Sequence, residues 1–268
     1  MTSVAFEGVA FVYPDGTRAL AGVNLEIGQG ETVAIIGQNG SGKSTLVRQL
    51  NGLLRPTEGR VTHDGRDIAD DRVATLAGRI GIVFQNPDRQ IFARKLQSEA
   101  EFGPLILGRS KSEAKAAATA ALDAVGLTGL GDTNPYDLGY SRRKLLTIAS
   151  VLATHTPVLV LDEPTTGQDA RGVGRVRRIV ADVAAEGRTV IAISHDMRFV
   201  AETFGRVVVM GAGRVLLDGT PSEVFARDAW PTLTETYLEP PLASRVGAAL
   251  GLGSTPTETS LLEAISRG

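Results

Sequence analysis

Cysteine is absent from the chain, which excludes disulfides and thiolate metal ligands and fits a reducing compartment. Net charge is nearly absent too, at −2 with an isoelectric point of ≈ 6.0. That balance leaves no basic footprint, so no nucleic-acid partner is expected. No stretch approaches the roughly 18 apolar residues of a membrane span. The opening MTSVAFEGVAF lacks a basic segment followed by an apolar core, so no secretory signal is expected. Internal repeats and low-complexity tracts are also missing. The expectation is a soluble globular protein that reaches a membrane only through a partner.

The chain does have 268 residues, 43% of them hydrophobic. That suffices for one large domain, or one domain with an extension. Apolar runs over residues 33–36, 80–84, 158–161, 190–193 and 207–210 read as buried strands, with helix-like stretches between them. The pattern predicts an α/β core with a mostly parallel central sheet. Ser110 and Glu113 open an Ala-rich stretch that stops at Gly126, which predicts a helix over 110–125. Val173, Val176, Ile179, Val180 and Val183 recur at helical spacing and end near Gly187. Pro14-Asp15-Gly16 separates two strand-like runs, which predicts an N-terminal antiparallel element. Residues 210–214 suggest a second hairpin. After about Ala226 prolines interrupt short apolar pieces. Residues 226–268 read as a C-terminal extension, with Thr255-Pro256-Thr257-Glu258 as a capped helix start before Leu261, Leu262 and Ile265.

The sharpest motif is Gly37-Gln38-Asn39-Gly40-Ser41-Gly42-Lys43-Ser44, followed by Thr45. It fits G-x-x-x-x-G-K-[ST], with an apolar strand leading in and a helix-like segment leading out. The glycines let successive N–H groups curl toward phosphate oxygens, and the helix N-terminus adds its dipole. Lys43 would reach the β- and γ-phosphates, and the Ser44 hydroxyl would take one Mg²⁺ position. Downstream, residues 158–161 end in Asp162-Glu163. Asp162 would hold a water of the Mg²⁺ shell, and Glu163 would polarise the attacking water. Phosphoryl transfer asks mainly for positioning and charge stabilisation, so this set points to ATP hydrolysis.

With these residues in place, the chain resembles the nucleotide-binding subunit of ATP-binding cassette (ABC) transporters over about residues 3–225. The resemblance implies a phosphate-loop NTPase fold. Its parts would be an N-terminal antiparallel β subdomain, a mostly parallel central sheet, a helical signature subdomain and a short C-terminal extension. It implies an ATP-binding domain over 1–225, with 226–268 as a possible dimerisation element. Gly37, Asn39, Gly40, Ser41, Gly42, Lys43, Ser44 and Thr45 would cradle ATP. Tyr13 matches the aromatic that stacks on adenine, although by itself it reads as a core aromatic. Gln85 matches the glutamine between Mg²⁺ and the membrane subunits. Asp169 matches the dimer-contact loop, with Gln168 where a Leu is usual, and by itself Asp169 reads as a helix N-cap. His195 matches the switch histidine at the γ-phosphate, where a lone His would otherwise read as structural.

Within that family, FQNPDRQIF, the YPDG turn, NGLLRPTEGRV and the PPLASRV–ALGL tail look like the A components of energy-coupling factor (ECF) transporters. That likeness implies an importer of a vitamin or a transition-metal ion, with this chain peripheral on the cytoplasmic face of the membrane. The implied partners are a second ATPase subunit, identical or paralogous, an integral membrane coupling subunit and a substrate-binding membrane subunit. Two other readings stay open: a soluble ABC ATPase outside transport, and a weakly hydrolysing partner of a second cassette.

The departure from the family is LGYSRRK. Against its usual LSGGQ, Leu138 falls on Leu, Gly139 on Ser, Tyr140 and Ser141 on the two Gly, and Arg142 on Gln. Gly139 and Ser141 remain candidates for touching a nucleotide across a dimer. Leu145, Ile148, Ala149 and Leu152 keep a helical face behind them. Arg142, Arg143 and Lys144 could bind phosphate, dock an acidic partner or face solvent.

Overall fold

The computed structural model describes residues 4–267; residues 1–3 and 268, at the ends of the two expected segments, lie outside the described residues. Strands β1 (Val4–Val12) and β2 (Arg18–Ile27) pair antiparallel. Their turn carries the expected Pro14-Asp15-Gly16, with Thr17 N donating to Asp15 Oδ1 at 2.9 Å. Strand β3 (Thr32–Ile36) is almost wholly buried and feeds helix α1 (Lys43–Leu50). Strands β4 (Glu58–His63) and β5 (Arg66–Asp67) complete a four-stranded antiparallel sheet in the order β2-β1-β4-β5.

The second sheet is built from the runs that read as buried strands. After α2 (Val73–Ala77) comes β6 (Ile80–Val83). Three helices follow: α3 (Leu96–Ile106), α4 (Lys111–Ala124) and α5 (Tyr140–Leu152). The α4 start is the expected capping box, with Ser110 and Glu113 satisfying each other's backbone N–H. Then alternate β7 (Val158–Asp162), α6 (Ala170–Ala185), β8 (Thr189–Ile193), α7 (Met197–Thr203), β9 (Arg206–Gly211) and β10 (Arg214–Gly219). The order is β10-β9-β3-β8-β7-β6, parallel except for the β9–β10 hairpin.

Period-two alternation divides the core between the faces of this sheet. Leu159 and Leu161 pack into the cluster beneath α3–α6, while Val158 and Val160 pack into the cluster that holds β1, β2 and α1. All four are fully buried, which stabilises the fold by ~1.5–3 kcal/mol per side chain. A parallel sheet covered on both faces needs such continuous apolar strands.

The chain closes with α8 (Pro221–Val224), α9 (Trp230–Glu235), α10 (Leu242–Ala249) and α11 (Glu258–Arg267). Leu233 is fully buried in the main core beside Phe225. The cap of α11 sits at Thr257, whose Oγ1 accepts from Ser260 N at 3.1 Å. Thr255 is buried instead, donating to Ala243 O at 2.8 Å. The α11 helix buries no residue, and Leu262 is exposed.

Candidate functional site

Between β3 and α1 the chain must reverse sharply, and glycine permits it. A Cβ at Gly37 would lie 2.2 Å from Met210 O, and one at Gly42 would lie 2.5 Å from Ala19 O; both residues have positive φ. The loop is stitched to β9–β10, since Gly213 N donates to Ser41 O at 3.1 Å. Lys43 Nζ spans the loop, donating to Gly37 O at 2.6 Å and Gln38 O at 2.9 Å. Burial pushes its pKa down, while the Glu163 and Asp162 charges oppose that shift.

Parallel pairing then brings a distant segment alongside. Ser44 Oγ donates to Asp162 Oδ2 at 3.3 Å, across 118 residues of sequence. Burial raises the Asp162 pKa, reinforced by the Glu163 charge and opposed by the Ser44 hydrogen bond. Glu163 sits one residue past the strand with φ of 52°, a left-handed conformation costly for a side-chain-bearing residue. Its N–H is fixed by Ile193 O at 2.9 Å, so the end of β8 holds it there. Glu163 Oε2 lies 2.7 Å from His195 Nδ1, yet that buried oxygen has no aligned hydrogen-bond donor. The carboxylate therefore retains acceptor capacity, and the mostly exposed His195 ring lies beside it.

These groups line one cleft of ≈ 320 Å³, whose wall includes Tyr13, Asn39, Gly40, Gly42, Lys43, Ser44, Thr45, Gln85, Asp162 and Glu163. Tyr13 OH shares a 2.9 Å hydrogen bond with Thr45 Oγ1, and its ring meets Phe11 edge-on at 4.9 Å. Half-buried Tyr13 thus presents a fixed ring at the mouth of the cleft. Gly37, Ser41, His195, Gly139, Ser141 and Asp169 are not part of this wall. Asp169 caps α6, with Oδ1 accepting from Gly172 N at 2.7 Å.

Lys144 departs from its neighbours in the basic run. Placed in a run of three basic residues, it kept solvent among its readings, but its side chain is fully buried. Lys144 Nζ donates to Gln85 O at 2.5 Å, Asp162 O at 3.2 Å and Phe84 O at 3.4 Å. One ammonium so ties α5 to the ends of β6 and β7, behind both Gln85 and Asp162. Burial pushes its pKa down to about 8 against the pull of Asp162 and Glu163. The available signal was its position one turn into a helix whose next residues are all apolar or small. Arg143 is held as well, donating to Leu138 O at 2.9 Å with Nε 3.1 Å from Asp88 Oδ1; Arg142 is exposed. The apolar face behind is wider than expected, because Leu146, Thr147 and Val151 are buried with Leu145, Ile148 and Ala149.

The chain is similar to known proteins in sequence and fold. The family profile described as ABC transporter matches residues 20–166. The chain is 40% identical over 228 residues to the energy-coupling factor transporter ATP-binding protein EcfA of Methanothermobacter thermautotrophicus, covering 84% of this chain and 73% of that one. It is 41% identical to the EcfA of Methanocaldococcus jannaschii, covering 84% and 82%. Among solved structures, cbiO1 from Clostridium perfringens, part of the cbiONQ ABC transporter complex, superposes with a TM-score of 0.77 at 36% identity, covering 92% of this chain and 98% of that one. A dimeric ATP-binding cassette in a post-hydrolysis state, bound to ADP and Pi, superposes with a TM-score of 0.74 at 28% identity, covering 81% and 98%. The cleft, the sheet that builds it and these relatives agree: the chain belongs to the ABC transporter ATP-binding family, as an ATPase of the energy-coupling factor type.

Proposed function

We propose that this chain binds ATP with Mg²⁺ in the phosphate-loop cleft and hydrolyses it to energise a membrane importer of the ECF type. The observation that carries the reading is the convergence of Lys43, Ser44, Gln85, Asp162 and Glu163 on one cleft. The backbone of residues 37–45 would hold the phosphates, with Lys43 supplying charge to the β- and γ-phosphates. Tyr13 would carry the adenine ring. Glu163 would orient and polarise the attacking water, and His195 would contact the γ-phosphate and keep Glu163 in place.

The donor set fits Mg²⁺. No group of three or more His, Cys, Asp or Glu side chains converges as a metal site among the described residues. Ser44 Oγ and Asp162 Oδ2 do meet, with Gln85 on the same wall. One hydroxyl, one carboxylate and one amide suit a hard cation that keeps waters and phosphate oxygens as its remaining ligands. Bound there, Mg²⁺ would neutralise phosphate charge during transfer.

A second cassette, identical or paralogous, would face this one head to tail, with Gly139, Ser141 and Asp169 at the shared boundary. Residues 226–268 would help hold the pair as an extension of the 1–225 ATP-binding domain. No helix among the described residues is long and apolar enough to cross a membrane. A peripheral position on the cytoplasmic face, docked on an integral coupling subunit and a substrate-binding membrane subunit, follows from the ECF likeness. A vitamin or a transition-metal ion is the cargo class this reading favours. The test is phosphate release by the purified chain alongside Glu163→Gln, expected to bind ATP but turn it over at least about 100-fold more slowly. Equal turnover in the two proteins would remove Glu163 from its role. Co-purification of small integral membrane proteins with the tagged chain would support the importer, and association with ribosomes or DNA instead would overturn it.

A further inference from the structure

The tip of α5 lies against the loop ahead of α6. Ser141 Oγ donates to Gln168 Oε1 at 2.8 Å, and Gln168 Nε2 donates back to Ser141 O at 3.0 Å. Both ends of one amide are thus satisfied by one residue 27 positions away, a closed pair rather than a single contact. Beside it, the Tyr140 ring covers Gly167 so closely that a Cβ there would come within 2.7 Å of Tyr140 Cδ1. The next residue, Asp169, caps α6. Residues 167–169 therefore join the tip of α5 to the start of α6 in three consecutive contacts.

A serine hydroxyl has one proton to donate. In this arrangement Ser141 gives it to Gln168, so the orientation of the tip is set inside the subunit. The N-cap of α5 is Gly139, which offers no side-chain cap. We propose that Gln168 is a positioning residue for ATP hydrolysis: it clasps Ser141 and holds the tip of α5 in register with Asp169. The tip that one subunit offers a second cassette is then oriented by its own loop. This rests on the two-cassette reading above.

The test combines Ser141→Ala, Gln168→Leu and the double variant with two readouts. Both side chains are only half-buried, so the variants are expected to fold. By hydrogen exchange on the purified chain, each single variant should speed exchange of the first-turn amides of α5 by about tenfold, with the double variant no faster. In ATP turnover, each single variant should lower kcat by about 5–10-fold with KM for ATP unchanged, and the double variant should be no worse. Gln168→Glu keeps the acceptor and loses the donor, so it should fall between wild type and Gln168→Leu. Additive losses in the double variant would overturn the clasp. So would a kcat loss in Ser141→Ala with Gln168→Leu unaffected, because Ser141 would then act on the nucleotide directly. A wild-type chain that turns over no ATP by itself bears on the functional reading and on whether the second cassette is a paralogue, not on the clasp. The exchange readout then decides the clasp, and unchanged exchange in Gln168→Leu would overturn it.

Discussion

Two helix starts in this protein share a cap and differ in almost everything else. Both α1 and α5 begin at a glycine with no side-chain cap, Gly42 and Gly139. Around Gly42 the loop is shaped by backbone: Gly37 and Gly42 sit where a Cβ would strike a neighbouring carbonyl, and Lys43 donates within the loop to Gly37 O, Gln38 O and Ser41 Oγ. Around Gly139 the tip is shaped by side chains, with Ser141 and Lys144 hydrogen-bonded, and Arg143 ion-paired through Asp88, to other segments of the same subunit. A backbone-built site demands particular residue types at particular spacings. A side-chain-built one tolerates substitution wherever a new partner appears, as Gln168 does for Ser141.

The comparison breaks most severely at Lys43. Lys43→Ala should abolish ATP hydrolysis, a loss of at least about 100-fold by phosphate release, because the Lys43 ammonium is the cation held inside the loop by Gly37 O and Gln38 O. Near-normal turnover would mean that the loop is held by backbone alone.

At the other helix, Lys144→Met should cost on the order of 2–4 kcal/mol in urea denaturation, since three carbonyls lose a charged donor in a buried site. A cost below about 0.5 kcal/mol would show that the cross-link is dispensable.

A smaller effect concerns pH. The folded-state pKa of Lys144, about 8, lies below its ordinary 10.5. Between those values the unfolded chain holds a proton that the folded chain has released, so rising pH favours the fold. The stability of wild type relative to Lys144→Met should therefore rise between pH 8 and 10, by at most ~1.4 kcal/mol per pH unit. A fall over that range would reverse the assignment.

The least severe change is at the mouth of the cleft. Tyr13→Ala should weaken ATP binding by about 3–10-fold through the lost ring face, and Tyr13→Phe by less than about twofold. Equal losses in both would place the contribution in the Tyr13–Thr45 hydrogen bond instead.

The strands of the central sheet were legible because burial on both faces leaves a continuous apolar run, as at residues 158–161. The phosphate loop was legible because its backbone path admits few residue types. Lys144 was not, since a lysine in a basic run carries no local mark of the three carbonyls that receive it. Nor was the Gln168–Ser141 pair, which looked like two unrelated departures from a family pattern.

By itself, then, the sequence determined the fold class, the glycine-rich loop between β3 and α1, and the pair of acids at the end of β7. These depend on local periodicity and on sterics between near neighbours in the chain. Only the tertiary structure decided that Glu163 keeps an unpaired acceptor beside His195, that Lys144 is buried behind Gln85 and Asp162, and that Gln168 holds Ser141. The reason is physical. Each of these depends on which segments the parallel sheet lays side by side, and hydrogen-bond partners tens of residues apart leave no periodic trace in the chain.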